Sequence, residues 1–458
     1  LVETIKIVHT NDLHSHFENF PKIARFIKKS RKKSTADQFY LFDIGDAMDR
    51  AHPLTEATDG SANIEWMNQQ NYDAATIGNN EGLGNSHEQL DHLYDHANFP
   101  VILGNLYEHG GQLANFAKPY LIKTTDKGTK VGIIGFTAPY ILTYPLLDWD
   151  IRLIQNEMPP IIKQIEQEKC DVIILMSHLG VSMDRLIAKQ YPQIDVILGS
   201  HTHHLFEKGE MDNGVLLAAA GKYGQNIGTV DLTLNDNHQI TEKSAYTTPT
   251  ADLKAKKKDA QWISGQAEKG NEILASEKVA EIPYTLSTDI EAEHSFINEA
   301  LVATQQYADA DAAVLSSGLF LTDLKKGVVT KKDLHEALPH AIHVMQTTLT
   351  GDNVWRLVME MEKNRAYLRR HLQKGMGFRG KIFGELVYRG ITIDNKRNVY
   401  INGQQLEMKK EYKIALLDHY LFVPFFPTIE IVGDNKIMYP DFIRNVFADY
   451  LQKKYPMR

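Results

Sequence analysis

The chain has 458 residues, 43% hydrophobic and 24% charged, the balance of a soluble globular protein with core enough for two or three domains. Its 50 basic and 58 acidic side chains leave a net charge of −8, which argues against a nucleic-acid or anionic-membrane surface. No apolar run approaches the roughly eighteen residues of a membrane span.

In chain order, short apolar runs alternate with longer mixed segments from Thr4 to about Asn235. The runs IKIV, FYLFDIG, DAATIG, PVILGN, KVGIIGF, DVIILMS, DVILGS and VLLAAAG have the length and β-branched content of buried strands. Segments such as SANIEWMNQQN and HEQLDHLYDHAN have helical spacing, and PKIARFI ends in the basic run Lys28–Lys33, read as a solvated helix end. Strand–helix alternation implies an α/β layered domain, with antiparallel neighbours where an Asp-Lys-Gly turn joins PYLIKTT to KVGIIGF. One cysteine, Cys170, excludes an intramolecular disulfide framework. The start, LVETIKIVHTNDLH, lacks a Met and any leader pattern. A cytoplasmic location is therefore favoured, with a secreted or cell-surface protein the alternative if a signal peptide was trimmed.

Residues 251–277 are rich in Lys, Glu and Ala and read as a long exposed helix. The expected division is a first domain over 1–245, a linker helix within 246–280 and a second α/β domain over 281–458. The second domain begins with a helix at EHSFINEALVATQQ and closes with one at YPDFIRNVFADYL.

Five segments place metal-type ligands just after apolar runs: HTNDLHSH (Asp12, His14), DIGDAMD (Asp46), IGNNEG (Asn79), LMSHLG (His178) and LGSHTHH (His201, His203). Strand ends are where loops converge on a ligand in an α/β sheet. Mixed imidazole and carboxylate donors suit Mn, Zn or Fe better than an all-oxygen cage for Mg or Ca. Seven donors exceed one tetrahedral ion, whereas two ions sharing a carboxylate would use them all. Two such cations lower the pKa of a shared water.

The order D-x-H, G-D, G-N-x-E, S-H-x-G, G-S-H-T-H resembles the calcineurin-like metallophosphoesterases and, more closely, the bacterial 5′-nucleotidase family. The resemblance implies a four-layered αββα sandwich, a linker helix and a C-terminal substrate-binding domain. It implies one divalent ion on Asp12, His14 and His203, a second on Asn79, His178 and His201, and Asp46 bridging them. It also implies a small-molecule phosphate ester as substrate, nucleotide-like, with no nucleic acid or membrane as partner; the oligomeric state stays open.

The sequence departs from the family at two places. The residue after the ligand Asn is His in the family and helps the leaving group depart; here it is Asn80. An amide donates a hydrogen bond but delivers no proton near neutral pH, so Asn80 predicts a bias toward pyrophosphates or activated esters over AMP. His87, His92 and His96 are candidate substitutes, with solvated helix positions the plainer reading. In the second domain the Gly-rich segment appears as LSSGLFLTDL, keeping Gly318 but placing Phe320 where an Arg falls in the family. Arg379 in GFRG is the substitute anion contact. Phe422 and Phe425, in LLDHYLFVPFFP, are candidate stacking rings beside Tyr420 and Phe426. A 2′,3′-cyclic phosphodiesterase, a nucleotide-sugar or pyrophosphate hydrolase, and a metal-containing binding protein of weak turnover are the alternatives.

Overall fold

The computed structural model describes residues 2–457, which divide into two compact units between Gly270 and Asn271. In the first unit, strands Glu3–Thr10, Gln38–Asp43, Ala74–Ala75, Val101–Ile102 and Ala117–Lys118 run parallel in one sheet. Asn226–Leu234 and Ile240–Pro249 extend it antiparallel, giving seven strands. A second, six-stranded sheet has Lys130–Thr137, Val172–His178, Val196–Gly199 and Val215–Ala218 parallel at its centre. The Tyr120–Thr124 hairpin partner of Lys130–Thr137 is antiparallel, as its turn predicts.

Period-two alternation sets the layers. Ile5 and Ile7 of the first sheet meet Ile174 and Met176 of the second in the interior between them. On the far face of the second sheet, Leu175 and Ile197 pack on Met158, Ile162 and Ile165 of the helix Ile154–Gln167. The helix Phe20–Lys33 buries Phe20, Ile23 and Ile27, and its basic run lies at the solvated C-terminal end. The result is an αββα sandwich in which parallel strands of both sheets deliver their C-terminal ends to one edge.

The long helix occupies Lys257–Ser276, preceded by a single 3-10 turn at Thr250–Asp252. The strand Ile240–Pro249 continues four residues past position 245. The second unit holds a five-stranded sheet ordered Leu386–Arg389, Ala312–Ser316, Glu411–Leu417, His343–Thr350, Asp434–Phe442. Helices Phe296–Tyr307, Gly351–Leu368 and Ile443–Lys454 supply much of its core. Among the described residues no helix is long and apolar enough to cross a membrane.

Candidate metal centre

The ligand-bearing loops are stitched before any side chain is considered. Asp12 N donates to Gly45 O (3.0 Å), His14 N to Asp46 O (2.9 Å) and Ser15 N to Ala47 O (3.1 Å). Gly45 has φ +85°, and a Cβ there would lie 2.4 Å from Gly78 N and 2.8 Å from His178 Nδ1, so only glycine permits this approach. Five of the seven predicted ligand residues, Asp12, His14, Asp46, His201 and His203, have φ between 47° and 73°. Such left-handed backbone costs L-residues energy, and surrounding structure must hold it in place.

The side chains converge on Asp46. Its Oδ2 lies 3.4 Å from His178 Nε2 and 3.6 Å from His14 Nε2. Asp12 Oδ1 is 3.6 Å from His203 Nε2 and 3.8 Å from His14 Nε2, while both its oxygens accept from His201 N at 3.2 Å. His14 Nε2 and His203 Nε2 stand 3.3 Å apart. Donor atoms of Asp12, His14 and His203, and likewise of Asp12, Asp46 and His178, fall within 4.8 Å of one another. Asn79 Oδ1 and His201 Nδ1 are 2.9 Å apart, and His201 Nε2 lies 3.2 Å from Tyr140 Oη. All seven predicted ligands thus share one cluster.

The fit to cations rests on His178. Its Nδ1 is held by Ile44 O at 2.8 Å and Ser200 Oγ at 2.7 Å. A proton on Nδ1, donated to the carbonyl, leaves the lone pair on Nε2, which is fully buried and has no hydrogen-bond partner among the described residues. An imidazole oriented through one nitrogen with the other facing carboxylates is the arrangement of a metal ligand. Electrostatics agree. Burial penalises charge at both groups, but their mutual attraction outweighs it, holding the Asp46 carboxylate below its usual range and raising His178 to about 10, so that without a cation Nε2 draws a proton into the place an ion would take. Asp12 is pushed up to about 7, chiefly by burial. The cluster takes up positive charge.

Glu81 supports it from behind. Its buried carboxylate accepts from Gly78 N (2.7 Å), Asp46 N (2.9 Å) and Met48 N (3.1 Å), joining the Asp46 loop to the start of the helix Asn79–Leu83. The sequence signal was present: Glu81 stands three residues after Gly78, the capping-box position. Tyr140, in PYILTY, carried no such signal.

Asn80 donates its backbone N–H to Asp46 Oδ1 (2.7 Å). Its side-chain nitrogen donates to Met48 O (3.0 Å) and lies 3.0 Å from His14 Nδ1. The candidate substitutes face elsewhere: His87 pairs with Glu108 at 3.0 Å, His92 pairs with Asp95 at 2.9 Å, and His96 is exposed.

In the second unit the predicted substrate residues fall into separate groups. Gly318 is packed beneath backbone, since a Cβ there would meet Ile382 O at 1.9 Å. Arg379 donates its backbone N–H to His340 Nδ1 (2.9 Å) and Nη1 to Phe378 O (3.2 Å). Phe425 is half-buried against Tyr367 and His371, and Phe422 is 65% exposed. Phe320, Tyr420 and Phe426 belong to the core.

Comparison with known proteins matches residues 5–205 to the calcineurin-like phosphoesterases and residues 279–422 to the 5′-nucleotidase C-terminal domain. The chain is 36% identical to the uncharacterized metallophosphoesterase YunD of Bacillus subtilis, over 97% of this chain and 98% of that one. It is 23% identical to the protein UshA of Yersinia enterocolitica, over 99% and 92%. Its fold is similar to Haemophilus influenzae NAD nucleotidase (TM-score 0.66, 18% identity, covering 99% and 97%). It is also similar to a 5′-nucleotidase precursor of Thermus thermophilus (TM-score 0.61, 18% identity, covering 99% and 97%). Family match, fold and clustered ligands agree: this chain belongs to the calcineurin-like metallophosphoesterases of the 5′-nucleotidase type, phosphoric ester hydrolases that use divalent metal ions.

Proposed function

We propose that this protein hydrolyses a small organic phosphate, nucleotide-like in class, with two divalent cations of the Mn, Zn or Fe type. Asp12, His14 and His203 would hold one, Asn79, His178 and His201 the other, with Asp46 shared. The observation that carries this reading is His178, whose Nδ1 is tied to Ile44 O while its buried Nε2 lies 3.4 Å from Asp46. Bound there, the ions would supply Lewis-acid activation of water and charge neutralisation at phosphorus.

The chain's own residues set how hard an ester it can cleave. Asn80 aligns Asp46 through its backbone and is engaged by Met48 O and His14 through its amide. It offers no proton for a departing alkoxide. General acid help is worth about 10²–10⁴ in rate, so esters that leave without protonation are the preferred substrates. Pyrophosphates and aryl phosphates fit this better than AMP. The test is phosphate release with Mn²⁺ from p-nitrophenyl phosphate and ADP against AMP. A steep rise with leaving-group quality supports the reading; equal rates would require a proton donor elsewhere, and absence of all turnover would favour a binding protein.

A further inference from the structure

The candidate metal centre opens to solvent on its His203 side. The His203 side chain is 32% exposed, against 10% for His14, 3% for Asp46 and 0% for Asp12 and His178. Beside that opening runs the loop 220–224, which carries Lys222. The loop is stapled to the segment that holds Asp12 and His14. Ala220 N donates to Asn11 Oδ1 (3.1 Å), Asn11 Nδ2 to Gly221 O (2.8 Å), Tyr223 N to Asp12 O (2.6 Å) and Asn19 Nδ2 to Tyr223 O (2.8 Å). Gly221 (φ +74°) and Tyr223 (φ +62°) put left-handed backbone on both sides of Lys222, a course that surrounding contacts must hold.

The half-buried Lys222 side chain lies back over the Tyr223 ring, with Nζ 4.6 Å from the centroid. That ring neighbours three histidines: it stacks on His16 (3.9 Å, 26°), meets His14 nearly perpendicular (5.6 Å, 79°) and lies 6.2 Å from His203. His203 is held down at about 4, chiefly by burial and then by the charges of His14 and Lys222, so the ammonium is within electrostatic reach of that side chain. No carboxylate pairs with Lys222 among the described residues. Arg50, four residues after Asp46, is the contrast: its buried guanidinium is committed to Glu56, Asp59 and Asn85.

An unpaired ammonium beside a centre that takes up divalent cations is repelled by them unless an anion comes between. A phosphoryl group is such an anion, and the opening beside His203 gives it a way in. A phosphomonoester brings two negative charges there and a phosphodiester one. We infer that Lys222, steadied by Tyr223, contacts the phosphoryl group of the substrate and pairs with the second charge of a monoester, so that this residue sets a preference for phosphomonoesters over phosphodiesters. The inference rests on the phosphohydrolase reading above and deepens it by naming the class of ester.

The experiment compares p-nitrophenyl phosphate with bis(p-nitrophenyl) phosphate, with Mn²⁺ and at a pH where the monoester is a dianion, in the unaltered protein, Lys222→Met and Lys222→Arg. The leaving group is the same in both esters, and Met keeps an apolar stem on Tyr223 while removing the charge. The unaltered protein should prefer the monoester. Lys222→Met should lower kcat/KM for the monoester by about 10–150-fold, the range of one hydrogen bond to a charged group, and lower that for the diester far less. Lys222→Arg should keep the preference. Should Lys222→Met not fold, Lys222→Gln takes its place. Calorimetric titration of inorganic phosphate into the Mn²⁺-loaded proteins should show a matching loss in Lys222→Met, while Mn²⁺ itself binds that variant at least as tightly, a nearby cation having been removed. Equal losses on both esters, no loss on either, or weakened Mn²⁺ binding in Lys222→Met would overturn the inference. Should the unaltered protein turn over neither ester, the proposed reaction fails, and the phosphate titration still decides on Lys222: phosphate binding absent from the unaltered protein, or unchanged in Lys222→Met, would refute its role.

Discussion

Replacing Glu81 by Gln tests how much of the metal centre depends on a residue that touches no ion. The carboxylate accepts three backbone N–H groups at 2.7, 2.9 and 3.1 Å, two of them on Oε2. Gln has one acceptor oxygen. Placed toward Gly78 and Asp46, it turns its NH₂ onto the Met48 N–H and leaves that buried donor unpaired, at a cost of about 1–3 kcal/mol. The substitution also removes a negative charge next to Asp46, a neighbour that helps push Glu81 itself up to about 7 after burial has done most of it. In metal-free protein that lost repulsion offsets part of the lost hydrogen bond. With cations bound the same charge is favourable, so the penalty is concentrated in the loaded state. Disturbing an outer partner of this kind weakens metal binding by about 10–100-fold. At saturating Mn²⁺ that removes about 1.4–2.7 kcal/mol of ligand-linked stability. Calorimetric Mn²⁺ titration and melting curves with Mn²⁺ or EDTA read both quantities. Undiminished Mn²⁺ affinity in Glu81→Gln, with normal folding, would refute the reasoning.

Asp46→Asn keeps an acceptor for the Asn80 N–H, so the fold should persist by circular dichroism while phosphate release falls below detection; retained turnover would exclude a shared carboxylate. Tyr140→Phe removes the phenol 3.2 Å from His201 Nε2 and should weaken one of two Mn²⁺ binding steps by about tenfold or more, read by the same titration. The second unit should be acid-sensitive. His340 and His419 sit at about 4 and about 3 when folded, below the unfolded value of about 6.5, so the unfolded chain binds more protons under pH 6.5. Their stability contribution is present above that pH and is lost as pH falls toward 4, with a slope approaching about 1.4 kcal/mol per pH unit for each. Urea unfolding of the full chain at several pH values measures it, and His340→Phe should flatten the slope.

The apolar runs of the first unit were legible because burial on both faces leaves unbroken β-branched stretches, and because chemistry placed at strand ends stands out against them. The clustering of the candidate ligands has the same origin: Asp12, His14 and Asp46 follow strands whose register is fixed by Ile5, Ile7 and their partners. The tautomer of His178 could not be read, since it depends on Ile44 O, 134 positions away. The second unit was less transparent. Gly318 was placed by motif and Arg379 as a substitute for the Arg missing from it, but the segment Leu372–Gly384 that packs over one and carries the other is a long-range contact. The strand Asp434–Phe442 went unrecognised because DNKIMYPDF has a Pro and no alternation, which an edge position tolerates.

The left-handed backbone at Asp12, His14, Asp46, His201 and His203 restricts which substitutions can ever be tried there. Asn, Asp, His and Gly enter that region most readily, whereas β-branched side chains are excluded from it. A library that replaces these positions with Thr, Val or Ile would lose folded protein for reasons unrelated to metal affinity, and its survivors would be weighted toward those four letters. Of those letters, His, Asp and Asn can also bind an ion. Drift at these sites therefore exchanges one coordinating side chain for another more readily than it discards coordination, and altered metal preference is the more accessible outcome of mutation than loss of the metal.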